Sequence, residues 1–118
     1  MHAVKIDKTV YEKKEEGDGK RILVMRFWPR GIRKSSVDLW MKDVGTSPDL
    51  IKDWKSGKVT RAVYELRYSK MMQGELQQKL ISELAGYASE GPITLLCSCK
   101  DPNKCHRSLL KEMIETLS

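Results

Sequence analysis

A thiol, an imidazole and a guanidinium stand side by side at Cys105-His106-Arg107, where a polar loop gives way to an amphipathic segment. The thiolate is the reactive form of cysteine, and adjacent cations or the positive end of a helix stabilise it. A neighbouring imidazole can take the thiol proton. The pattern predicts Cys105 as a nucleophile or redox thiol, His106 as its base and Arg107 as part of an oxyanion clamp. The competing reading makes Cys105 a small buried hydrophobe continuing the stripe of Leu109 and Met113, with His106 bonded to backbone at a helix start. Two more cysteines lie just upstream, at Cys97 and Cys99. Together with His106 they form Cys-x-Cys-x5-Cys-His, a donor set known from structural zinc sites. The gaps depart from the usual ligand spacing, and adjacent Cys105 and His106 should point in different directions, so no metal is assigned and any cofactor stays open. A Cys99–Cys105 disulfide or a redox switch is a further use of the same residues. A phosphotyrosine-phosphatase loop is excluded, because the position six residues before Arg107 is Asp101.

A second group of chemically able residues is Arg26-Phe27-Trp28-Pro29-Arg30-Gly31. Guanidinium groups hold phosphate and carboxylate in a bidentate fashion. Arg26 and Arg30 are therefore candidates to bind an anion, with Trp28 as a flat apolar wall.

These groups meet only if the chain brings them together. Ile22-Leu23-Val24-Met25 and Ile93-Thr94-Leu95-Leu96-Cys97 are nearly continuous apolar runs, the pattern of strands buried on both faces. Val4-Lys5-Ile6 is a shorter strand candidate. The residues between read as helices. Ser35 or Ser36 would cap a short one through Trp40 and Val44, and Ser47-Pro48 would open a second that stops at Gly57. Thr60 would open a third, and Leu76, Leu80, Ile81, Leu84 and Tyr87 would line a fourth that ends near Gly91-Pro92. A last helix, capped by Asn103, would bury Leu109, Leu110, Met113, Ile114 and Leu117. The reading is one α/β domain over 1–118, with a small, mainly parallel sheet of about three strands covered by helices. In such sheets ligands bind beyond the carboxyl ends of the strands. Both chemical segments follow a strand, so parallel neighbouring strands would place Arg26, Arg30, His106 and Arg107 around one crevice.

Composition limits the partners. The chain of 118 residues carries a formal charge of +6, which favours anions. Basic and acidic residues alternate rather than forming a block, and no zinc-finger spacing or aromatic RNA-binding motif is present. A small anionic ligand is the expected partner, and nucleic-acid phosphate is the alternative, as is a structural adaptor role. No apolar run reaches the roughly 20 residues a membrane span needs. No secretory signal is visible, and three cysteines in one short stretch do not resemble a disulfide scaffold. These features predict a cytoplasmic protein without a membrane partner.

The stretch Arg21-Ile22-Leu23-Val24-Met25-Arg26-Phe27-Trp28-Pro29-Arg30-Gly31 resembles the signature of the YeaO-like family, domain of unknown function 488. Trp40-Met41-Lys42-Asp43, Ser47-Pro48-Asp49-Leu50, Arg67-Tyr68, Pro92-Ile93-Thr94-Leu95-Leu96 and His106 continue the likeness across essentially the whole chain. The resemblance implies a small α/β protein and no established activity. Met25 stands where many members carry an aspartate, which removes a candidate acid. Cys105-His106-Arg107 stands where many read Asn-His, so His106, Arg26 and Arg30 are the better carriers of any function common to the family.

Overall fold

The computed structural model describes residues 2–117. Four strands, β1 (Val4–Lys5), β2 (Lys20–Leu23), β3 (Leu39–Trp40) and β4 (Ile93–Leu96), make one sheet in the order β1-β4-β2-β3. Every pairing is parallel, and β2 lies directly beside β4 with Leu23 opposite Leu96. The expected α/β class and parallel sheet are present, with one strand more than the three anticipated. The extra strand comes from the segment expected as a helix after Ser35. That segment holds only a single 3-10 turn at Lys34–Ser36, and Leu39–Trp40 then pairs with β2. Asp38 explains the change: its N–H donates to the Arg21 carbonyl, and its carboxylate accepts from the Arg21 N–H at 2.8 Å. A side chain that satisfies the edge of β2 draws the next residues into the sheet.

Four helices follow the remaining expectations. In α1 (Pro48–Lys55) the Ser47 hydroxyl accepts from the Leu50 N–H, and in α2 (Arg61–Met71) the Thr60 hydroxyl accepts from the Val63 N–H. Each cap satisfies a first-turn donor that the helix itself cannot. Then come α3 (Glu75–Glu90) and α4 (His106–Leu117). Arg67 of α2 pairs with Asp53 of α1 at 2.7 Å, so it ties two helices together instead of bracing its own. No helix among the described residues is long and apolar enough to cross a membrane.

The sheet has two different faces, as the two-residue period of a strand requires. Ile22, Val24 and Leu95 point into the main core, where Leu50, Tyr68, Leu84 and Leu110 of the four helices meet them. Leu23 and Leu96 point the other way, onto Val10, Met25, Trp28, Ile32 and Val37, which belong to irregular segments. Arg21 shares this second face and is fully buried. Its guanidinium donates to Asp18 at 2.6 Å and to the Ser36 and Glu12 carbonyls. Asp18 also meets Lys8 at 2.8 Å. Burial pushes the Asp18 carboxyl up, but hydrogen bonds from Lys8, the Glu15 N–H and Arg21 outweigh it and hold the group down at about 2.

Two outcomes follow from this ion cluster. Removing Asp18 leaves a buried guanidinium without its anion, so Asp18→Ala should cost about 3–5 kcal/mol of stability in urea titrations. A carboxyl depressed in the folded state stabilises fully above the ordinary carboxylate range and loses that contribution as pH falls through about 2. Thermal melts should therefore show the wild type losing stability between about pH 4 and pH 2 more steeply than Asp18→Ala does.

Candidate functional site

A cavity of about 230 Å³ opens beyond the carboxyl ends of β2 and β4. Met25, Arg26 and Phe27 follow β2 into its wall, and Cys97, Ser98 and Cys99 follow β4. Lys104, Cys105 and His106 come from the start of α4, Ile51, Trp54 and Lys55 from α1, and Tyr64 from α2, with Thr46 beside it. Parallel adjacency of β2 and β4 is what brings these segments together. Arg26, Lys55 and Lys104 supply positive charge, and among the described residues no carboxylate lines the cavity.

The three thiols converge here, with their sulfurs all within 4.8 Å of one another and none in a disulfide. Cys97 and Cys105 are buried, and Cys99 is exposed. The Cys105 sulfur lies 3.4 Å from His106 Nδ1. His106 Nε2 lies 2.6 Å from the Val24 carbonyl oxygen, which can only accept. Nε2 therefore carries the proton, and in the neutral ring Nδ1 is the lone pair that faces Cys105. That bond also ties the start of α4 to the chain leaving β2.

The helix start differs from expectation in a way that changes the electrostatic argument. Asp101, not Asn103, caps this region: its carboxylate accepts from the Asn103 N–H at 2.9 Å and opens a 3-10 turn over Pro102–Lys104. Cys105 is extended and sits just before α4 instead of two residues inside it. Its thiol is nevertheless held far below the ordinary range, first by hydrogen bonds from Cys97 and Cys99 and then, against the opposing effect of burial, by His106. The Cys97 and Cys99 thiols are pushed up through the same hydrogen bonds. These hydrogen bonds thus favour an anion at Cys105 over one at Cys97 or Cys99. As donors, the three sulfurs are also a set that a thiophilic cation could use, while both nitrogens of His106 are already engaged.

The other residues singled out by sequence divide. Arg26 lines the cavity, donating to Asp43 at 3.2 Å and to the Gly45 carbonyl at 3.0 Å, and its buried Nε has no partner among the described residues. Gly45 permits this approach, since a Cβ there would lie 2.4 Å from the Arg26 nitrogen. Arg107 is fully buried and donates to the carbonyls of Ile6 (3.0 Å), Lys8 (2.5 Å) and Cys99 (2.5 Å), so its guanidinium is spent on backbone. Arg30 is exposed and outside the cavity lining. Trp28 packs on the second face of the sheet, donating to the Ile32 carbonyl and meeting Trp40 edge-on at 5.4 Å. The aromatic that follows β2 into the cavity is Phe27, 59% exposed.

Sequence reasoning missed the far wall. Trp54, expected as core, is half-buried against the cavity, with its ring 4.9 Å from that of Tyr64. Arg61 lies over both rings and donates to the Cys105 carbonyl at 3.0 Å. Burial raises the Tyr64 hydroxyl to about 12, so it stays a neutral donor or acceptor beside Thr46. No spacing in the chain signals that α2 would reach the start of α4.

Fold and site define a small parallel α/β protein with a cysteine–histidine centre at the ends of its two middle strands. The chain belongs to the DUF488-N3a family, described as the active DUF488-N3 subclade, whose model matches residues 5–118. It is 36% identical over 113 residues to the uncharacterized protein YeaO of Escherichia coli, covering 93% of this chain and 96% of that one. It is 30% identical over 108 residues to the uncharacterized protein Mb3100c of Mycobacterium bovis, covering 89% and 88%. No solved structure matches significantly.

Arg107 should prove structural. Replacing it by methionine removes three charge-assisted bonds to carbonyls, and should cost about 2–3 kcal/mol in denaturant titrations. Amide exchange should accelerate around Ile6–Lys8 and Cys99 before it does so in α3.

Proposed function

We propose that this chain is a thiol-dependent enzyme acting on a small anionic substrate, with Cys105 as nucleophile and His106 as its base. The observation that carries the reading is the Cys105 sulfur placed 3.4 Å from His106 Nδ1, which accepts the thiol proton and then donates to the anion, with two further thiols within 4.8 Å that also stabilise it. His106 Nδ1 takes the thiol proton, and its Nε2–H bond to Val24 fixes the ring for that task. Arg26, Lys55 and Lys104 would hold the anionic part of the substrate, and Phe27 and Trp54 its apolar part. Of the cations named from sequence, Arg26 stays in the clamp, while Arg107 serves the backbone. The description of the subclade as active accords with this reading. Three unpaired thiols suit a reducing compartment, so we place the protein in the cytoplasm.

Nucleic-acid binding draws less support. Arg21, Arg61, Arg67 and Arg107 all donate to groups of the protein itself, so much of the net charge is not presented as a phosphate-binding surface. Gel shifts at low salt should show weak binding at most, and a tight complex that weakens steeply with salt would favour phosphate binding over catalysis.

Timed alkylation with iodoacetamide, followed by peptide mass in the presence of a chelator, tests the nucleophile. A thiolate already ionised across the neutral range should react at nearly the same rate at pH 6 and pH 8, whereas an ordinary thiol gains about tenfold per pH unit below its pKa of about 8.5. Cys105 should be labelled first with a flat pH profile, and His106→Gln should restore part of the slope. Labelling of Cys105 no faster than Cys97 would remove the enzyme reading, as would stoichiometric zinc on the thiols of the freshly purified chain.

A further inference from the structure

A reaction that needs one nucleophilic sulfur uses the other two only as hydrogen-bond donors to its anion. Acyl and phosphoryl transfer also develop charge on oxygen, and their leaving groups usually require a general acid. The cavity has cations for the first need but only His106 beside Cys105 for the second, since among the described residues no carboxylate lines it and the Tyr64 hydroxyl is bonded to Thr46. Sulfur chemistry has neither requirement. A departing thiolate is stable near neutral pH, because thiols ionise at about 8.5. What such chemistry does require is a second thiol within reach of the first, to discharge the covalent intermediate.

Cys99 fits that role better than Cys97. Both sulfurs lie within 4.8 Å of Cys105, but Cys97 sits at the end of a central strand and is 3% exposed. Cys99 is exposed in the loop between β4 and α4, where its sulfur can close the distance to the roughly 2.05 Å of a disulfide. The loop is tethered at Cys99 by the bond from Arg107 to its carbonyl, so the backbone stays in place while the side chain turns.

We propose that the substrate class is a small anionic disulfide and that Cys99 is the resolving thiol; this deepens the reading of Cys105 as the nucleophile and rests on it. The Cys105 thiolate attacks one sulfur of R–S–S–R. The S–S bond breaks, RS⁻ leaves with the bonding pair, and it takes up the proton that His106 received from Cys105. Cys99 then attacks the Cys105 sulfur of the mixed disulfide. A Cys99–Cys105 bond forms, and the second thiol leaves with the proton from Cys99. The substrate gains two electrons and becomes two RSH, and the two protein thiols become a disulfide. An external dithiol must return the protein to its starting state. Arg26, Lys55 and Lys104 account for the anionic character required of R.

The test mixes the full chain, anaerobically and with a chelator, with oxidised glutathione, whose carboxylates supply the negative charge. Intact mass and peptide mapping should find a Cys99–Cys105 disulfide and two glutathiones released per chain. Cys99→Ser should stall with one glutathione on Cys105, whereas Cys97→Ser, which removes one thiol that stabilises the Cys105 anion, should exchange more slowly but still end in the Cys99–Cys105 disulfide. The neutral hydroxyethyl disulfide should react about tenfold more slowly at low salt. Release of the second glutathione by Cys99→Ser at the wild-type rate would overturn the resolving role, and equal rates for the two disulfides would overturn the anionic class. Iodoacetamide labelling separates the levels. If Cys105 is labelled rapidly but Cys99→Ser behaves as wild type, only this proposal fails. If Cys105 is inert to both reagents, the enzyme reading fails with it.

Discussion

A guanidinium with no access to solvent, that of Arg107, ties two separate segments of this chain to α4. It donates to carbonyls on both sides of Asp7, in the segment leaving β1, and to the Cys99 carbonyl after β4. A buried cation is costly unless its donors are satisfied, and here oxygen atoms of the backbone do most of that work. Among the described residues no carboxylate pairs with it. The site depends on this arrangement, because the loop bearing Cys99 has little regular structure of its own and is located from inside by α4. The field of Arg107 also acts to lower the Cys99 thiol, against the stronger effect of Cys105 that raises it.

The same logic recurs on the second face of the sheet, where Arg21 and Asp18 replace the helices that cover the first. Thr94, opposite Arg21 in the β2–β4 pairing, donates its hydroxyl to the Asp18 carbonyl at 2.7 Å. A two-sided sheet is thus closed by apolar helix faces on one side and by an ion cluster with a few loop hydrophobes on the other. This division leaves the strand ends open between the layers, and the thiols sit there. Cys97 and Cys99 stand two positions apart in a chain leaving the sheet, so both can turn toward Cys105.

Much of the architecture was legible because its signals are local. The caps at Ser47 and Thr60 and the apolar runs at Ile22 and Ile93 each state their structure within a few residues. The short strand at Leu39–Trp40 was not, since its pairing is decided by a bond between Asp38 and a residue 17 positions away. The site was half legible. Arg26, Cys105 and His106 share one cavity because two apolar runs proved to be adjacent parallel strands. Phe27 takes the place in the cavity expected of Trp28, since alternation along the chain decides which face each takes and the register past the end of a strand is not encoded in composition. The acidity of Cys105 has another source than the helix end, because an Asp101 side chain starts a 3-10 turn and leaves the cysteine outside α4. Arginines that look like anion clamps in the sequence turn out to include Arg107, which is buried, and Arg30, which lies outside the cavity. No local pattern separates those from Arg26.

The order of the strands carries a consequence for how the molecule comes into being. Strand β4 lies between β1 and β2 in the sheet, yet it is made long after both. Until it emerges, β1 has no neighbour and the apolar edge of β2 lies open. Arg107 meets the Ile6 carbonyl across 101 positions, and His106 meets the Val24 carbonyl across 82. Contacts of such separation close late and slow the search for the native state. A nascent chain therefore carries unpaired strands that invite association during synthesis, and the thiols gain their chemical environment only once α4 has been made.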